Sequence, residues 1–105
     1  MTDEPGRAGR PSPARAVYAI SVAAKLAGTG QQNIRLYETK GLLTPSRTSG
    51  GTRQYSDDDV AVLLRIGELL DQGLNLAGVA RVLELEEANS KLHSALKRAR
   101  SRHQK

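Results

Sequence analysis

Arg35-Leu-Tyr-Glu-Thr-Lys-Gly-Leu-Leu-Thr-Pro-Ser-Arg-Thr-Ser-Gly-Gly-Thr-Arg-Gln-Tyr-Ser56 is the stretch on which the fold turns. It reads as the end of one helix, a basic hairpin with glycines at its tip, and the cap of a further helix. Gly41 stands where a helix terminator is expected, and Pro45 forbids the helix from continuing. Thr48-Ser-Gly-Gly-Thr52 is turn chemistry between short extended stretches at 44–47 and 53–55. Ser56 followed by three aspartates has the capping-box pattern, with Asp59 at the reciprocal position and all three carboxylates complementing a helix dipole. A cation site is the competing reading of the triplet, but the cap explains all three residues and no His or Cys lies nearby. Arg35, Arg47 and Arg53 stand against Glu38 alone, which suits a surface that grips a phosphate backbone and is poor material for catalysis.

Working back from this stretch, Tyr18-Ala-Ile reads as a short extended lead-in. Ser21 is placed to cap a helix over 22–27, which Gly28 ends. A second helix starts at Gly30 or Gln31 and runs to about Lys40, with Ile34 inward and Arg35 outward. Two short helices across a glycine turn are the helix-turn-helix arrangement, and Ala24 supplies the small residue needed where they cross. On this piece alone a generic helical hairpin is equally consistent.

Working forward, Val60, Leu63, Leu64, Ile66, Gly67 and Leu70 recur at helical spacing and predict an inward face. Gly73 ends that helix, and Asn75 caps a fourth from Leu76, with Val79, Val82 and Leu83 inward. Nothing breaks the fourth helix before about Arg100. Leu85, Leu92 and Ala99 are spaced by heptads, and Asn89, Leu96 and His103 fill the alternate positions. A seam of Leu85, Asn89, Leu92, Leu96 and Ala99 makes a short coiled coil with a buried Asn. Glu84, Glu86 and Glu87 stand at one end of it, and Lys97, Arg98, Arg100 and Arg102 at the other. Two antiparallel copies set acidic against basic ends, whereas parallel copies stack like charges. The expectation is therefore an antiparallel homodimer; a solvated amphipathic helix with a frayed end is the competing reading.

The 105 residues fit one small domain with tails. The expected organisation is a disordered basic arm over 1–16, a DNA-binding domain over 17–83, and a dimerisation helix with a basic tail over 84–105. There are no cysteines, so disulfides and thiolate metal sites are excluded. No apolar run reaches membrane-spanning length and no signal-peptide core is present, so a cytoplasmic location is expected. The net charge of +5 is segregated. Residues 17–56 hold Lys25, Arg35, Lys40, Arg47 and Arg53 against Glu38, and residues 57–90 hold eight acids against Arg65 and Arg81. Residues 91–105 are purely basic. Basic blocks of this kind mark nucleic-acid contacts or self-association.

No nucleophile–base pair, phosphate loop or zinc spacing is present, so no enzymatic activity, metal or cofactor is expected. His93 and His103 lie too far apart to share a helix face as ligands. A recognition helix in the major groove needs hydrogen-bonding side chains near its N-terminus. Gln31, Gln32 and Asn33 occupy that position, and their amides suit adenine N6 and N7. Arg35, one turn on, reaches a guanine or a phosphate. Arg47, Thr52 and Arg53, with the Tyr55 hydroxyl, suit phosphate and sugar contacts. Core packing is the equal alternative for Tyr37 and Tyr55, since a tyrosine ring can be buried with its hydroxyl outside.

Arg35-Leu-Tyr-Glu, Gly41-Leu-Leu-Thr-Pro and Gly51-Thr-Arg-Gln-Tyr-Ser, with Arg47 between them, resemble the signature of the MerR family over about residues 18–83. Ile20-Ser-Val-Ala-Ala, Arg47-Thr-Ser-Gly-Gly, Asn75-Leu-Ala-Gly-Val and Leu83-Glu-Leu look most like its HspR-type heat-shock repressors of actinobacteria. The resemblance implies a mainly α fold: a winged helix-turn-helix of four helices and a short β-hairpin wing, with a C-terminal dimerisation helix. It implies a bacterial, nucleoid-associated repressor of stress genes that binds a promoter inverted repeat in double-stranded DNA as a homodimer. A DnaK-type chaperone becomes a candidate co-repressor. DNA contacts carry over to Arg35 and Tyr37 on the recognition helix and to Arg47, Arg53 and Tyr55 on the wing. Leu36 departs from the aromatic that many members have, and Gly30 from the usual Ser or Thr cap. Little sequence follows residue 83, so direct small-molecule sensing is not expected. Two other functions fit the same features: an excisionase-like architectural or recombination-accessory DNA-binding protein, and a protein-interaction adaptor acting through the C-terminal helix.

Overall fold

The computed structural model describes residues 16–103. Their order is β1 (Ala16–Tyr18), α1 (Ile20–Ala27), α2 (Gln31–Thr39), β2 (Ser46–Arg47), β3 (Arg53–Ser56), α3 (Asp57–Asp71) and α4 (Leu76–His103). This is the expected mainly α winged helix-turn-helix. The arm expected over 1–16 lies outside the described residues except for Ala16, which opens β1. The chain divides into two compact units, one up to Glu68 and one from Leu69 onward.

In the first unit the strands form one antiparallel sheet in the order β1-β3-β2. Tyr18 pairs with Tyr55 on one side of β3, and Ser46 and Arg47 pair with Gln54 and Arg53 on the other. The hairpin between β2 and β3 closes through Gly51 N–H to the Thr48 carbonyl at 2.9 Å and Thr48 N–H to the Thr52 carbonyl at 2.8 Å. Gly51 has φ +89°, a conformation L side chains rarely adopt, which is why glycine stands at the tip.

The helix-turn-helix forms as expected, with one correction at its start. The helix is capped by Ala19, not Ser21, and begins at Ile20 rather than Val22. Ala19 is extended, at φ −70° and ψ 163°, and its carbonyl accepts from Val22 and Ala23 at 3.1 and 2.9 Å. Ser21 is thus already inside the first turn, where a hydroxyl cannot cap. The extended lead-in therefore ends at Tyr18, and Ile20 belongs to α1. Gly28, at φ +69°, ends α1, and Thr29 N–H reaches back to the Ala24 carbonyl at 3.0 Å. Ala23 and Ala24 are buried, as the close approach of α1 and α2 requires.

The start of α3 is the capping box read from the sequence. Asp59 N–H donates to Ser56 Oγ at 3.0 Å, and Ser56 N–H donates to Asp59 Oδ2 at 2.9 Å. Asp57 accepts a hydrogen bond from the Tyr18 hydroxyl at 2.6 Å, which ties β1 to the helix entrance and pushes that phenol's pKa up. The buried stripe of α3 differs from the expected one: Leu63, Ile66 and Leu69 are buried, Val60 and Leu70 half-buried, and Leu64 and Gly67 exposed. A spacing of three selects a narrower face than the i, i+4 pairs that brought Leu64 and Gly67 into the expected face. The other buried apolar side chains of the first unit are Ile34, Tyr37, Leu43 and Tyr55.

In the second unit Asn75 caps α4 as expected, its Oδ1 accepting from Gly78 N–H at 2.8 Å. Val79 is buried, while Val82 and Leu83 are half-buried. From Glu84 to Arg98 every residue is exposed. No helix among the described residues is long and apolar enough to cross a membrane.

Candidate nucleic-acid interface

α2 has two faces. Ile34 and Tyr37 are buried, at 0% and 6% exposure. Gln31, Gln32, Asn33, Arg35, Leu36 and Thr39 are exposed. At helical spacing Gln32, Arg35, Leu36 and Thr39 share the outer face, with Gln31 at its edge and Asn33 towards the other side. This face offers amides, a guanidinium, a hydroxyl and one apolar side chain, the donor, acceptor and methyl-contacting groups that base edges require. Arg35 Nη2 donates to Gln31 Oε1 at 3.4 Å, so the two present one polar edge.

Gly30 caps α2 without a side-chain hydrogen bond. Asn33 Nδ2 instead donates to Thr29 Oγ1 at 3.0 Å, tying the first turn to the preceding loop. Asn33 is thereby engaged at the helix start, while Gln32 is left at the centre of the outer face.

The hairpin is held to this helix by a contact that the sequence reading did not identify. Glu38 is the only acid between residues 17 and 56, and it points inward with its side chain 11% exposed. Its Oε1 accepts from Arg53 Nε at 2.7 Å and its Oε2 accepts from the Tyr55 hydroxyl at 2.5 Å. One carboxylate therefore bridges α2 and β3 and uses both oxygens. Burial pushes the Tyr55 phenol well above its usual pKa; the hydrogen bond to Glu38 and that carboxylate's charge add to the effect, while Arg53 and Arg35 oppose it. The hydrogen bond to Glu38 likewise raises the Arg53 pKa. A lone acid in a basic block was the available signal, since a charge of opposite sign in such a block needs a partner within it.

The site residues expected from the sequence therefore separate into two groups. Gln31, Gln32, Arg35, Arg47 and Thr52 are exposed. Arg47 Nη1 donates to the Gly51 carbonyl at 3.0 Å, which holds its guanidinium over the hairpin tip. Thr52 N–H donates to Thr48 Oγ1 at 3.1 Å. Tyr37 and Tyr55 are packed inside, and Arg53 is half-buried against Glu38. The Tyr55 hydroxyl, expected to reach phosphate or sugar, is committed to Glu38 because a buried phenol needs an acceptor. On α4, Leu85, Asn89, Leu92 and Leu96 are exposed and Ala99 half-buried. Among the described residues no cluster of His, Cys, Asp and Glu could hold a metal ion.

The sequence model of the MerR HTH family regulatory protein matches residues 18–86. The chain is similar to the heat shock protein HspR of Streptomyces coelicolor, 44% identical over 79 residues that make up 74% of this chain and 52% of that one. It is also similar to the transcriptional regulator GlnR of Bacillus cereus, 42% identical over 71 residues, covering 68% of this chain and 55% of GlnR. The chain thus spans about half the length of these relatives. Among solved structures it is similar to HiNmlR, a MerR family regulator lacking the sensor domain and bound to promoter DNA. That match has a TM-score of 0.61 at 26% identity and covers 81% of this chain and 71% of HiNmlR. With the matched residues spanning both helices of the helix-turn-helix, the hairpin and the start of α4, the chain belongs to the MerR HTH family of regulatory proteins.

Proposed function

We propose that this chain is a sequence-specific transcriptional regulator that binds a promoter inverted repeat as a homodimer and acts as a repressor of HspR type. The observation that carries the reading is the Glu38 bridge, because it locks the outer face of α2 to the hairpin as one rigid surface. A helix presenting Gln32 and Arg35 in a major groove then fixes where Arg47 and Thr52 meet the flanking backbone. In this reading Gln31, Gln32 and Arg35 read or orient on base edges, and Leu36 offers an apolar contact to a thymine methyl. Arg47 and Thr52 grip phosphate, and Arg53 completes that grip from its place beside Glu38. Tyr37, Tyr55 and Asn33 hold the surface in shape.

The DNA-binding part runs to residue 83, and the dimerisation helix begins at Glu84, where α4 becomes fully exposed. Leu85, Asn89, Leu92, Leu96 and Ala99 form its antiparallel seam. A nucleoid-associated place in a bacterial cytoplasm follows from this function. A chaperone of DnaK type is retained as a candidate co-repressor on the likeness to HspR alone. HiNmlR, bound to promoter DNA without a sensor domain, supports a regulator of this compact kind.

The test is a mobility shift with DNA from the gene's own promoter and with scrambled DNA of equal length, at ~150 mM salt, where counterion release alone gives weak binding. Preference for the promoter fragment is expected, and equal affinity for both overturns the reading.

A further inference from the structure

The exposed half of α4 carries enough pattern to fix how a second copy sits on it. Val82, Asn89 and Leu96 take the a positions of a heptad, and Leu85, Leu92 and Ala99 take the d positions. Val82, Leu85, Glu86, Ala88, Asn89 and Leu92 line one shallow groove on this helix, the kind of hole a partner's knob fills. Antiparallel coiled coils set each a residue against a d residue of the other chain. Only three registers of two copies then overlap well, and they differ in what Asn89 meets: Leu85, Leu92 or Ala99 of the second copy.

The flanking charges distinguish the three. Glu86 and Arg100 both occupy e positions, which face each other in an antiparallel pair, and Arg81 and Arg102 both occupy g positions. With Asn89 against Leu85, Glu86 meets Glu86 of the second copy. With Asn89 against Leu92, Arg81 meets Arg102, and Arg100 falls beside Val79, which its own chain already buries. With Asn89 against Ala99, Glu86 meets Arg100 twice, once on each side of the twofold axis. Leu92 then packs on Leu96 next to the axis, Ala88 lies beside Arg102, and His93 meets its own copy.

Exposure selects the same register independently. The outward-facing run extends from Glu84 to Arg102, broken only by the half-buried Ala99, and its centre is His93. A symmetric partner that covers the whole run must place the twofold axis there. Asn89 against Ala99 puts the axis at Ser94, one residue away. Asn89 against Leu92 puts it between Ser90 and Lys91, drawing in the already half-buried Val82 and leaving the far end uncovered. The small Ala99 also leaves room for the Asn89 amide to keep a water, where Leu92 would bury it dry.

We infer that two copies of this chain pair through α4 with Asn89 against Ala99 and with reciprocal Glu86–Arg100 ion pairs, and that these pairs make the interface selective for its own kind. The inference rests on the homodimer reading above. It is tested with E86R and R100E, each exposed in the single chain and so without consequence for its folding, which circular dichroism checks. Each variant alone sets two like-charged pairs across the seam, and its dimer should weaken by roughly tenfold or more at low salt. An equal mixture restores both attractive pairs, so native mass spectrometry should show E86R and R100E together as the dominant dimer. Unchanged homodimers, or a mixture that pairs statistically, overturn the register while the dimer stands. A wild-type chain that stays monomeric at micromolar concentration overturns the dimer reading and the register with it.

Discussion

Polar contacts in the winged unit join elements far apart in the chain, whereas those in the exposed half of α4 join neighbours one turn apart. Glu38 reaches Arg53 and Tyr55 on another strand, and Tyr18 reaches Asp57 across the sheet. On α4 the charged pairs are Arg81 with Glu84 and Lys91 with Glu87. The first kind of contact fixes where elements stand. The second supports a helix without positioning it. The apolar groups divide the same way: Ile34 and Tyr55 are fully buried, whereas Leu92 is 69% exposed. The difference teaches that one region is complete within a single chain and the other is built to be completed from outside.

The largest expected effect breaks this comparison by making the same truncation on both sides. Ile34→Ala removes a fully buried branched side chain and should cost about 2–5 kcal/mol in urea unfolding. Leu92→Ala should leave the helicity and fold of the single chain intact and shift only the monomer–dimer equilibrium, read by light scattering across a dilution series. Equal losses of fold from both changes would show that α4 is integral to the core and not a free face.

The next effect concerns the clasp. Glu38→Ala leaves a buried phenol without its acceptor and frees Arg53, at a cost of about 1–3 kcal/mol by chemical denaturation. Because the hairpin then loses its tie to α2, affinity should fall alike for all DNA sequences. Gln32→Ala, on the outer face, should change sequence preference instead. A Glu38 variant that bound normally would show that helix and hairpin act separately.

Much of this comparison was legible in the sequence, for physical reasons that are local. The capping box at Ser56 and Asp59, the Asn75 cap and the Gly51 tip are each decided within four residues. Gln32 and Arg35 could be placed outside because Ile34 fixes the phase of α2. The Glu38 bridge was not legible, because it depends on which residue of β3 folds back beside α2. The misplaced cap at Ser21 has a related cause. Ala19 has no side chain to announce itself, and its role is set by the strand that ends just before it. Leu64 was assigned inward because spacing alone does not show how wide a buried stripe is.

The clasp also gives a pH signature confined to the winged unit. Tyr55 has a folded pKa raised above the ordinary 10.0. A group raised in this way contributes its full stabilisation below its unfolded value and loses it as pH rises through the folded one. The hydrogen bond of Tyr18 to Asp57 acts with the same sign. Stability should therefore hold from neutrality to about the unfolded tyrosine pKa and decline above it. Tyr55→Phe should flatten that decline in thermal melts taken across alkaline pH. A wild-type stability that did not fall there would mean the phenol is not committed to Glu38.

The smallest expected effect is the sharpest test of the other region. Glu87 lies 3.5 Å from Lys91, and both side chains are largely exposed, so the pair is screened and flexible. In the heptad that puts Asn89 at a and Leu92 at d, Glu87 falls at f, directly away from the seam. Glu87→Gln should therefore move stability by no more than about 0.5 kcal/mol, and should not move the dimer constant at all. Glu86, one residue earlier, sits at e and should respond strongly to the same kind of change. If Glu87→Gln weakened the dimer as much as Glu86→Gln, the face of α4 assigned to the second copy would be turned by one residue. The seam of Leu85, Leu92 and Leu96 could then not be the surface that makes contact.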